Sequence, residues 1–574
     1  MVTLTINGKK TTVENGATIL DAAKSVGVEI PTLCFLPDIC DVGACRACVV
    51  EIEGEDRLCA SCNTAAFEGM TVHTNSARVL EARRLNLQLM LSDHEVDCTA
   101  CARNLTCKLQ SLAQQFNVLD VPYPKKEHVN RWPLDYPLIR DNTKCVKCMR
   151  CMMYCEKVQD LGVWDISGSA VRITVNVAGG KKINESECTL CGQCITHCPV
   201  GALRARDDTD KVLSAIHDPD KVVIAQIAPA IRTAWADEFG IERDEASVGM
   251  MVAAVRALGI DYVFDTSFTA DLTIMEEANE LLGRIGKDGY ASPMFTSCCP
   301  GWVRYLKAQY PELTDNLSSA KSPQQMFGAV AKTWFAEREG IDPSKIVCVS
   351  IMPCVAKKHE CDLPGINNSG QDKDVDIVIT NRELGKLIKS NNINVHDLPN
   401  EQFDDILGES TGAGVIFGST GGVMEAALRS AYYFITGKNP DPDEFSVVRG
   451  GFGWREVSLE INGIPLKAAV ASGLANAKEI VEKVKSGQAH YDFVEIMACP
   501  GGCTGGGGQP FNDSPQPSLQ RNDILRKLDR NSQFRFSHEN PVIAKAYKEF
   551  FEKPLSHKSH DLLHTDHAAW DMPR

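Results

Sequence analysis

Cysteines are the residues best placed to do chemistry in this chain: 24 among 574 residues, most of them two to four positions apart. Two stretches repeat one spacing, C-x2-C-x2-C-x3-C: Cys145, Cys148, Cys151 and Cys155, then Cys188, Cys191, Cys194 and Cys198, the second followed by Pro199. Soft thiolates select zinc or iron–sulfur clusters. A doubled tetrad of this form is the spacing of paired 4Fe–4S clusters, in which the last cysteine of each run serves the other cluster. One cluster is therefore expected on Cys145, Cys148, Cys151 and Cys198, the other on Cys188, Cys191, Cys194 and Cys155. The reason is reach: three thiolates in a tight loop cover three corners of a cubane, and the fourth arrives from elsewhere. Zinc is the competing reading, and the doubling argues against it.

An even cysteine count also suits a disulfide framework, the habit of small secreted chains. Here the first ten residues, Met1-Val-Thr-Leu-Thr-Ile-Asn-Gly-Lys-Lys10, alternate like a strand and show no signal-peptide pattern or twin arginine. No apolar run reaches the roughly 18 residues a membrane span requires. A cytoplasmic protein with reduced, metal-available thiols is expected. The net charge of −15 argues against a nucleic-acid partner. Basic residues at 125–157 and 181–182 still leave room for a local positive face beside the cluster motifs.

Two looser sets precede the tetrads. Cys34-x10-Cys45-x2-Cys48-x13-Cys62 departs from the plant-type 2Fe–2S spacing. It resembles the N-terminal 2Fe–2S domain shared by FeFe-hydrogenases and the large iron–sulfur subunit of respiratory complex I. Cys59 rivals Cys62 as the last ligand; Cys62 is preferred because those relatives place theirs in a similar Ala-Ser-Cys context. The alternative for Cys40 and Cys59 is a free thiol. His94-x3-Cys98-x2-Cys101-x5-Cys107 resembles the His/Cys-ligated 4Fe–4S site of the same two families. An imidazole there replaces an anionic thiolate and shifts the cluster potential upward; the alternative is a solvent-exposed His94.

Three further motifs, Thr296-Ser-Cys-Cys-Pro-Gly-Trp302, Met352-Pro-Cys-Val-Ala-Lys-Lys358 and Met497-Ala-Cys-Pro-Gly-Gly-Cys503, resemble the signatures of FeFe-hydrogenases, in family order. The resemblance implies an H-cluster, a 4Fe–4S cubane joined to a two-iron unit with CO, cyanide and a bridging dithiolate. Its cubane would be held by Cys299, Cys354, Cys499 and Cys503, with Cys503 the bridge. It further implies that Cys298 moves protons rather than binding iron. The relay would continue through Glu277, Ser318, Glu280 and Arg284. A thiol of near-neutral pKa passes a proton at small cost. Glu277, Glu280 and Arg284 stand at i, i+3 and i+7, so one helix face can carry them; a solvated charged face is the bland alternative. Lys357 would donate to a cyanide, its alternative being a surface lysine. Met352, Met497, Phe417 and Gln324 would line the same pocket. Pro229-Ala230 departs from relatives that carry serine at the second position, which removes a hydroxyl donor. The Gly-rich stretch 501–508 lacks the Gly-Lys-Ser/Thr ending of a phosphate loop, so it reads as close backbone approach to a cluster.

The elements that must position these groups follow from patterning. Leu4 and Ile6 alternate, Asn7-Gly8 turns, and Thr11–Val13 returns as a hairpin. Residues 18–26, the run Leu80–Leu91 and the run around Leu109–Phe116 read as helices, and Pro122, Pro124 and Pro133 mark a linker. Beyond 209, apolar runs Val222–Ile227, Tyr262–Phe264, Ile346–Ile351, Ile377–Ile379 and Phe493–Met497 read as buried strands. With helical patterns over 271–285 and 322–337 between them, they predict mostly parallel α/β architecture. The last stretch, 519–574, reads as helical and polar with a His-rich tail near 557–567.

The resulting expectation is an α+β multidomain chain. It has a β-grasp 2Fe–2S domain over 1–78 and a small helical His/Cys-ligated 4Fe–4S domain over 79–124. A two-cluster ferredoxin-like domain follows over 125–208, then a large α/β catalytic domain over 209–574. One 2Fe–2S and three accessory 4Fe–4S clusters would carry electrons to the H-cluster, where protons and dihydrogen interconvert. No nucleotide-binding motif stands out. The electron partner is then ferredoxin, for an enzyme working alone, or flavin- and NAD-binding iron–sulfur subunits of an electron-bifurcating complex. The Pro229-Ala230 variant and the Cys-Pro-Gly-Gly-Cys motif favour the complex. Two other readings compete. A non-catalytic electron-wire subunit explains residues 1–208 only, and an iron–sulfur assembly relative would not need the relay residues.

Overall fold

In a computed structural model of the protein, residues 1–126, 132–169, 173–285, 292–511 and 517–573 are described. Part of the basic stretch at 125–157 therefore lies outside the described residues. The chain divides into two compact units, Met1–Ile183 with Gln193–Arg204, and Asn184–Gly192 with Ala205–Arg574. The second cysteine tetrad is split by this division: Cys188 and Cys191 belong to the second unit, Cys194 and Cys198 to the first.

The first unit opens on the hairpin read from the sequence. Strands Val2–Ile6 and Lys9–Val13 pair antiparallel, with Asn7 and Gly8 both at positive φ. Three more short strands, Thr71–His73, Val49–Ile52 and Cys59–Ala60, complete a five-stranded sheet. Helix Ile19–Ser25 contributes Ile19, Ala22 and Ala23 to its core, started by a capping box of Thr18 and Asp21. Helices Ala77–Asp93 and Lys108–Gln115 follow, close to where the leucine runs predicted them.

The second unit contains two sheets. Its strands are β1 (Val222–Ile227), β2 (Tyr262–Asp265), β3 (Met294–Phe295), β4 (Ile346–Met352), β5 (Ile377–Thr380), β6 (Gly453–Ile461), β7 (Ile464–Ser472) and β8 (Phe493–Met497). The first sheet runs β2-β1-β4-β5, all parallel; the second runs β3-β8-β7-β6, with only β6 antiparallel. Strands buried on both faces carry continuous apolar runs, which is why five of them were readable. The β6–β7 hairpin went unread, although its Asn462-Gly463 turn, with both residues at positive φ, is a strong hairpin signal.

Six helices matter for the site: α1 (Thr266–Arg284), α2 (Pro300–Gln309), α3 (Pro323–Val330), α4 (Lys357–Glu360), α5 (Gly422–Thr436) and α6 (His557–Leu563). The pattern over 322–337 is helical but not uniform: α3 passes into a π-turn at Ala331–Phe335 before a last α-turn. Helix α1 is wedged between the two hydrophobic cores. Phe268 and Leu272 pack in the core of the first sheet, while Ala270, Ile274, Ala278 and Leu281 pack in that of the second. A helix apolar on two sides must bury whatever polar residues it carries between them. No described helix is long and apolar enough to cross a membrane.

Candidate active site

The three signature motifs converge because each follows the C-terminal end of a strand, the place where open parallel sheets gather ligand-binding groups. Cys298 and Cys299 follow β3, and Cys299 caps α2 ahead of Pro300. Met352 ends β4, with Cys354 two residues on. Met497 ends β8, and Cys499 and Cys503 follow it. Pro229 and Ala230 lie just beyond β1.

These residues surround one cavity. Cys299, Cys354, Cys499 and Cys503 line it, together with Cys298, Lys357, Pro229, Ala230, Gln324, Met352, Phe417 and Met497. The glycine-rich stretch serves close packing. A Cβ on Gly506 would stand 2.2 Å from the Pro353 carbonyl, and one on Gly507 2.3 Å from that of Cys191. The approach is therefore to the backbone of neighbouring cysteine loops. Cys499 Sγ lies 3.8 Å from the same Cys191 carbonyl.

The donor set fits an iron–sulfur group. Burial, then the neighbouring Cys299, pushes the Cys354 thiol up to about 11, and the same two causes raise Cys503. Four such thiols become thiolates together only when a cation shares the space. Four soft thiols lining one cavity suit an iron–sulfur cluster.

Lys357 is not a surface lysine. Its Nζ donates to the Cys298 carbonyl at 3.1 Å and to Glu360 at 2.7 Å. Burial works against its charge, but Glu360 outweighs this, so its pKa is raised and the ammonium persists. Glu360 was missed in the sequence, although Lys357-x2-Glu360 is an i, i+3 pair on α4. It also accepts from Ser322 and from Gln324, whose own carbonyl accepts from Ser350. Gln324 is thereby fixed on both faces of its amide.

The acidic residues of α1 are not a solvated face. Glu277 is buried, and the side chains of Glu280 and Arg284 are 11% and 14% exposed. Burial, then the nearby Glu280, raises Glu277 to about 8, while a hydrogen bond with Ser318 works the other way. Ser318 Oγ donates to Glu280 Oε2 at 2.7 Å, and Arg284 donates to Glu280 Oε1 at 2.6 Å. Cys298 faces Glu277, and burial followed by that charge lifts its thiol well above the ordinary range. The near-neutral thiol expected from the sequence is thus corrected: its resting form is firmly S–H.

In the first unit, Cys145, Cys148, Cys151 and Cys198 line one cavity of about 390 Å³, the crossed grouping expected from the spacing. Cys34, Cys45, Cys48 and Cys62 are buried together, with Cys48 Sγ 3.4 Å from Cys62 Sγ. Cys59 is half-exposed and turns to the Arg57 carbonyl. Cys40 is buried, its thiol 3.6 Å from the Cys148 carbonyl. His94 caps the end of helix Ala77–Asp93 and is buried rather than exposed, with no hydrogen-bond partner for Nδ1 among the described residues. Nearby, Cys101 Sγ would meet a Cβ on Gly201, and Arg103 ties its loop to the Thr196 and Cys198 carbonyls. Cys98 is half-buried, and Cys107 precedes helix Lys108–Gln115. Of the other crossed set, Cys155 and Cys194 sit in the first unit, Cys188 and Cys191 in the second.

Comparison with known proteins decides the family. The model for the iron-only hydrogenase large subunit, C-terminal domain, matches residues 221–507. The chain is also 47% identical, over 98% of both chains, to the NADP-reducing hydrogenase subunit HndD of Solidesulfovibrio fructosivorans. The chain belongs to the iron-only (FeFe) hydrogenase family. Iron hydrogenase 1 of Clostridium pasteurianum is 38% identical over 98% of this chain and 99% of its own. A variant of the FeFe-hydrogenase of Chlamydomonas reinhardtii aligns in structure with a TM-score of 0.57 and 41% identity, covering 62% of this chain and 98% of that one. Ahead of the hydrogenase domain, a 2Fe–2S cluster-binding domain matches 1–77. An iron–sulfur region of the NADH–ubiquinone oxidoreductase G type matches 83–122, and a 4Fe–4S domain matches 181–204. The iron hydrogenase small-subunit model matches 518–570. This FeFe-hydrogenase is therefore a multidomain α/β catalytic subunit with iron–sulfur domains at its N-terminus.

Proposed function

We propose that the enzyme interconverts protons and dihydrogen reversibly at an H-cluster held by Cys299, Cys354, Cys499 and Cys503, with Cys503 as the bridging thiolate. The reading is supported above all by the cavity that these four share with Cys298, and by the hydrogen-bonded set of Ser318, Glu280 and Arg284 beside buried Glu277. When bound, the cluster supplies the redox chemistry of dihydrogen. The protein's part is to hold, orient and feed protons.

Lys357 presents an ammonium to the cavity, fixed by Glu360, and fits the donor required by an anionic iron ligand. Met352, Met497, Phe417, Pro229 and Ala230 would pack around the two-iron unit, and Gln324 braces Glu360. Cys298 would hold and pass on the proton nearest the bound cluster. Glu277, protonated at neutral pH by its raised pKa, exchanges with Cys298, and Ser318, Glu280 and Arg284 continue toward the surface. This division of work, with the protein tuning proton access while the cofactor does the hard chemistry, is the usual one.

Electrons would arrive through three accessory 4Fe–4S clusters and one 2Fe–2S cluster. Their proposed ligands are Cys34, Cys45, Cys48 and Cys62; His94, Cys98, Cys101 and Cys107; and the two crossed tetrads. The domain limits proposed are 1–78, 79–124, 125–208 and 209–574. For the first set, Cys62→Ser should abolish the 2Fe–2S signal in electron paramagnetic resonance, while Cys59→Ser should leave it intact. The reverse pattern would exchange the two ligands.

The enzyme is further proposed to serve as the catalytic subunit of a cytoplasmic electron-bifurcating complex, with ferredoxin and a flavin- and NAD-type nucleotide-binding partner. The relative whose name calls it a subunit of an NADP-reducing hydrogenase supports this. Purification from the native host, with dihydrogen-dependent reduction of NAD and NADP assayed, tests it. Copurifying subunits with that activity are expected; a lone chain reducing only ferredoxin would favour a stand-alone enzyme.

A further inference from the structure

The His-rich tail plays no part in the chemistry above, yet it lies directly on the relay. After α6 the chain pairs with the segment that carries Ser318: Lys321 N–H donates to the Leu563 carbonyl, Thr565 N–H to that of Ser319, and Ala320 bridges His564. His567 Nε2 lies 2.9 Å from the Ser318 carbonyl, so it donates there. Its charged form is disfavoured by burial, which lowers its pKa. This imidazole is a neutral clamp.

His564 differs. Its side chain is 1% exposed and hydrogen-bonded at both ring nitrogens. Nε2 lies 3.1 Å from Glu276 Oε2, and Nδ1 lies 2.9 Å from Ser319 Oγ. Glu276 also accepts from the Tyr547 hydroxyl at 2.5 Å and the Leu555 N–H at 2.9 Å. A carboxylate with two such donors takes its third bond from His564 Nε2–H, leaving Nδ1 free to accept or, once protonated, to donate. Ser319 Oγ is shared: it also lies 3.3 Å from Glu280 Oε1, the oxygen that takes up Arg284. One hydroxyl hydrogen thus stands between a relay carboxyl and an imidazole backed by a buried carboxylate.

We propose that His564 is a side branch of the proton relay, holding a proton that Glu280 hands over through Ser319. The step balances within the three groups. Protonated Glu280 gives its hydrogen to Ser319 Oγ as Ser319 gives its own to Nδ1. Two O–H bonds break, one O–H and one N–H form, and a Glu280 carboxylate and a His564 imidazolium result. Glu276 stabilises the imidazolium, and Glu280 is left ready for the next proton. Each dihydrogen needs two protons, so a second holding place beside the relay has a use. The titratable groups facing His564 are Glu276, Tyr547, Glu280 beyond Ser319, and exposed His560 stacked at 4.8 Å. The inference rests on the relay reading.

The test compares turnover against pH, with a viologen dye as electron donor or acceptor, in the holoenzyme and in His564→Gln, Ser319→Ala and the double variant. Glutamine keeps hydrogen bonds to Ser319 and Glu276 but cannot take a proton. Each single change should move an apparent pKa of the profile by about one unit. The double change should add nothing further, because both cut one branch. Infrared bands of the H-cluster should be unchanged. A His564→Gln profile that superimposes on the wild type, additive shifts, or single variants that lose the bands and so act through structure would overturn the proposal. Full turnover of Cys298→Ser would instead overturn the relay reading.

Discussion

Replacing Cys298 by serine should lower dihydrogen turnover by about 10²–10⁴-fold, the ordinary contribution of a placed proton donor. The cubane and two-iron unit should stay bound. Serine keeps the size and the hydrogen-bonding position, but its hydroxyl gives up a proton far less readily than a thiol. The local structure argues for a specific defect. Lys357 holds the backbone carbonyl of residue 298, not its side chain, so the substitution leaves that anchor in place. The four cavity cysteines proposed as ligands are likewise untouched. Infrared bands of the H-cluster, recorded with the turnover assay, separate the cases. Intact bands with crippled turnover support the relay, whereas undiminished turnover contradicts it.

Glu277→Gln should have the second large effect, on both turnover and stability. Turnover should fall by a comparable factor, because an amide cannot relay a proton. The stability effect has a definite sign. Burial, then Glu280, raises the Glu277 pKa to about 8, against roughly 4.3 in an unfolded chain. Folding therefore takes up a proton at this site between those values. The stability contributed by this group is fully present below the unfolded pKa and is lost as pH rises through the folded one. Relative to Glu277→Gln, the wild type should lose about 1.4 kcal/mol per pH unit across that window. Denaturant unfolding of both proteins between pH 5 and 8 measures the difference. Parallel curves would mean that Glu277 is ionised in the native protein and cannot act as proposed.

Much of the site was legible because it lies where sequence and fold speak the same language. Cys354 and Cys499 each follow a long buried parallel strand that shows as an apolar run, whereas the two-residue strand ahead of Cys298 and Cys299 does not, and those two were legible from their motif alone. The residues that went unread are those whose role comes from another part of the chain. Glu360 matters because Lys357 folds back on it across one turn, and Ser322 and Gln324 arrive from α3. His564 matters because the tail pairs with Ser319, some 245 positions earlier. Glu277 was read correctly as a helix-face residue, but its depth was not readable. That depth comes from α1 being wedged between two cores, a tertiary fact that one helix's pattern does not contain. The Cys298 thiol departs from the near-neutral expectation for the same reason: its chain neighbours are visible in the sequence, its burial beside Glu277 is not.

The cavity bounded by Cys299, Cys354, Cys499 and Cys503 is proposed to hold an H-cluster. Infrared absorption of the enzyme after co-expression with the maturation machinery tests it most directly. Carbonyl and cyanide ligands on iron absorb in a window free of protein bands. Sharp bands from both ligand types are expected, retained in Cys298→Ser and lost in Cys503→Ala. A matured, iron-loaded enzyme silent in that window would contradict it.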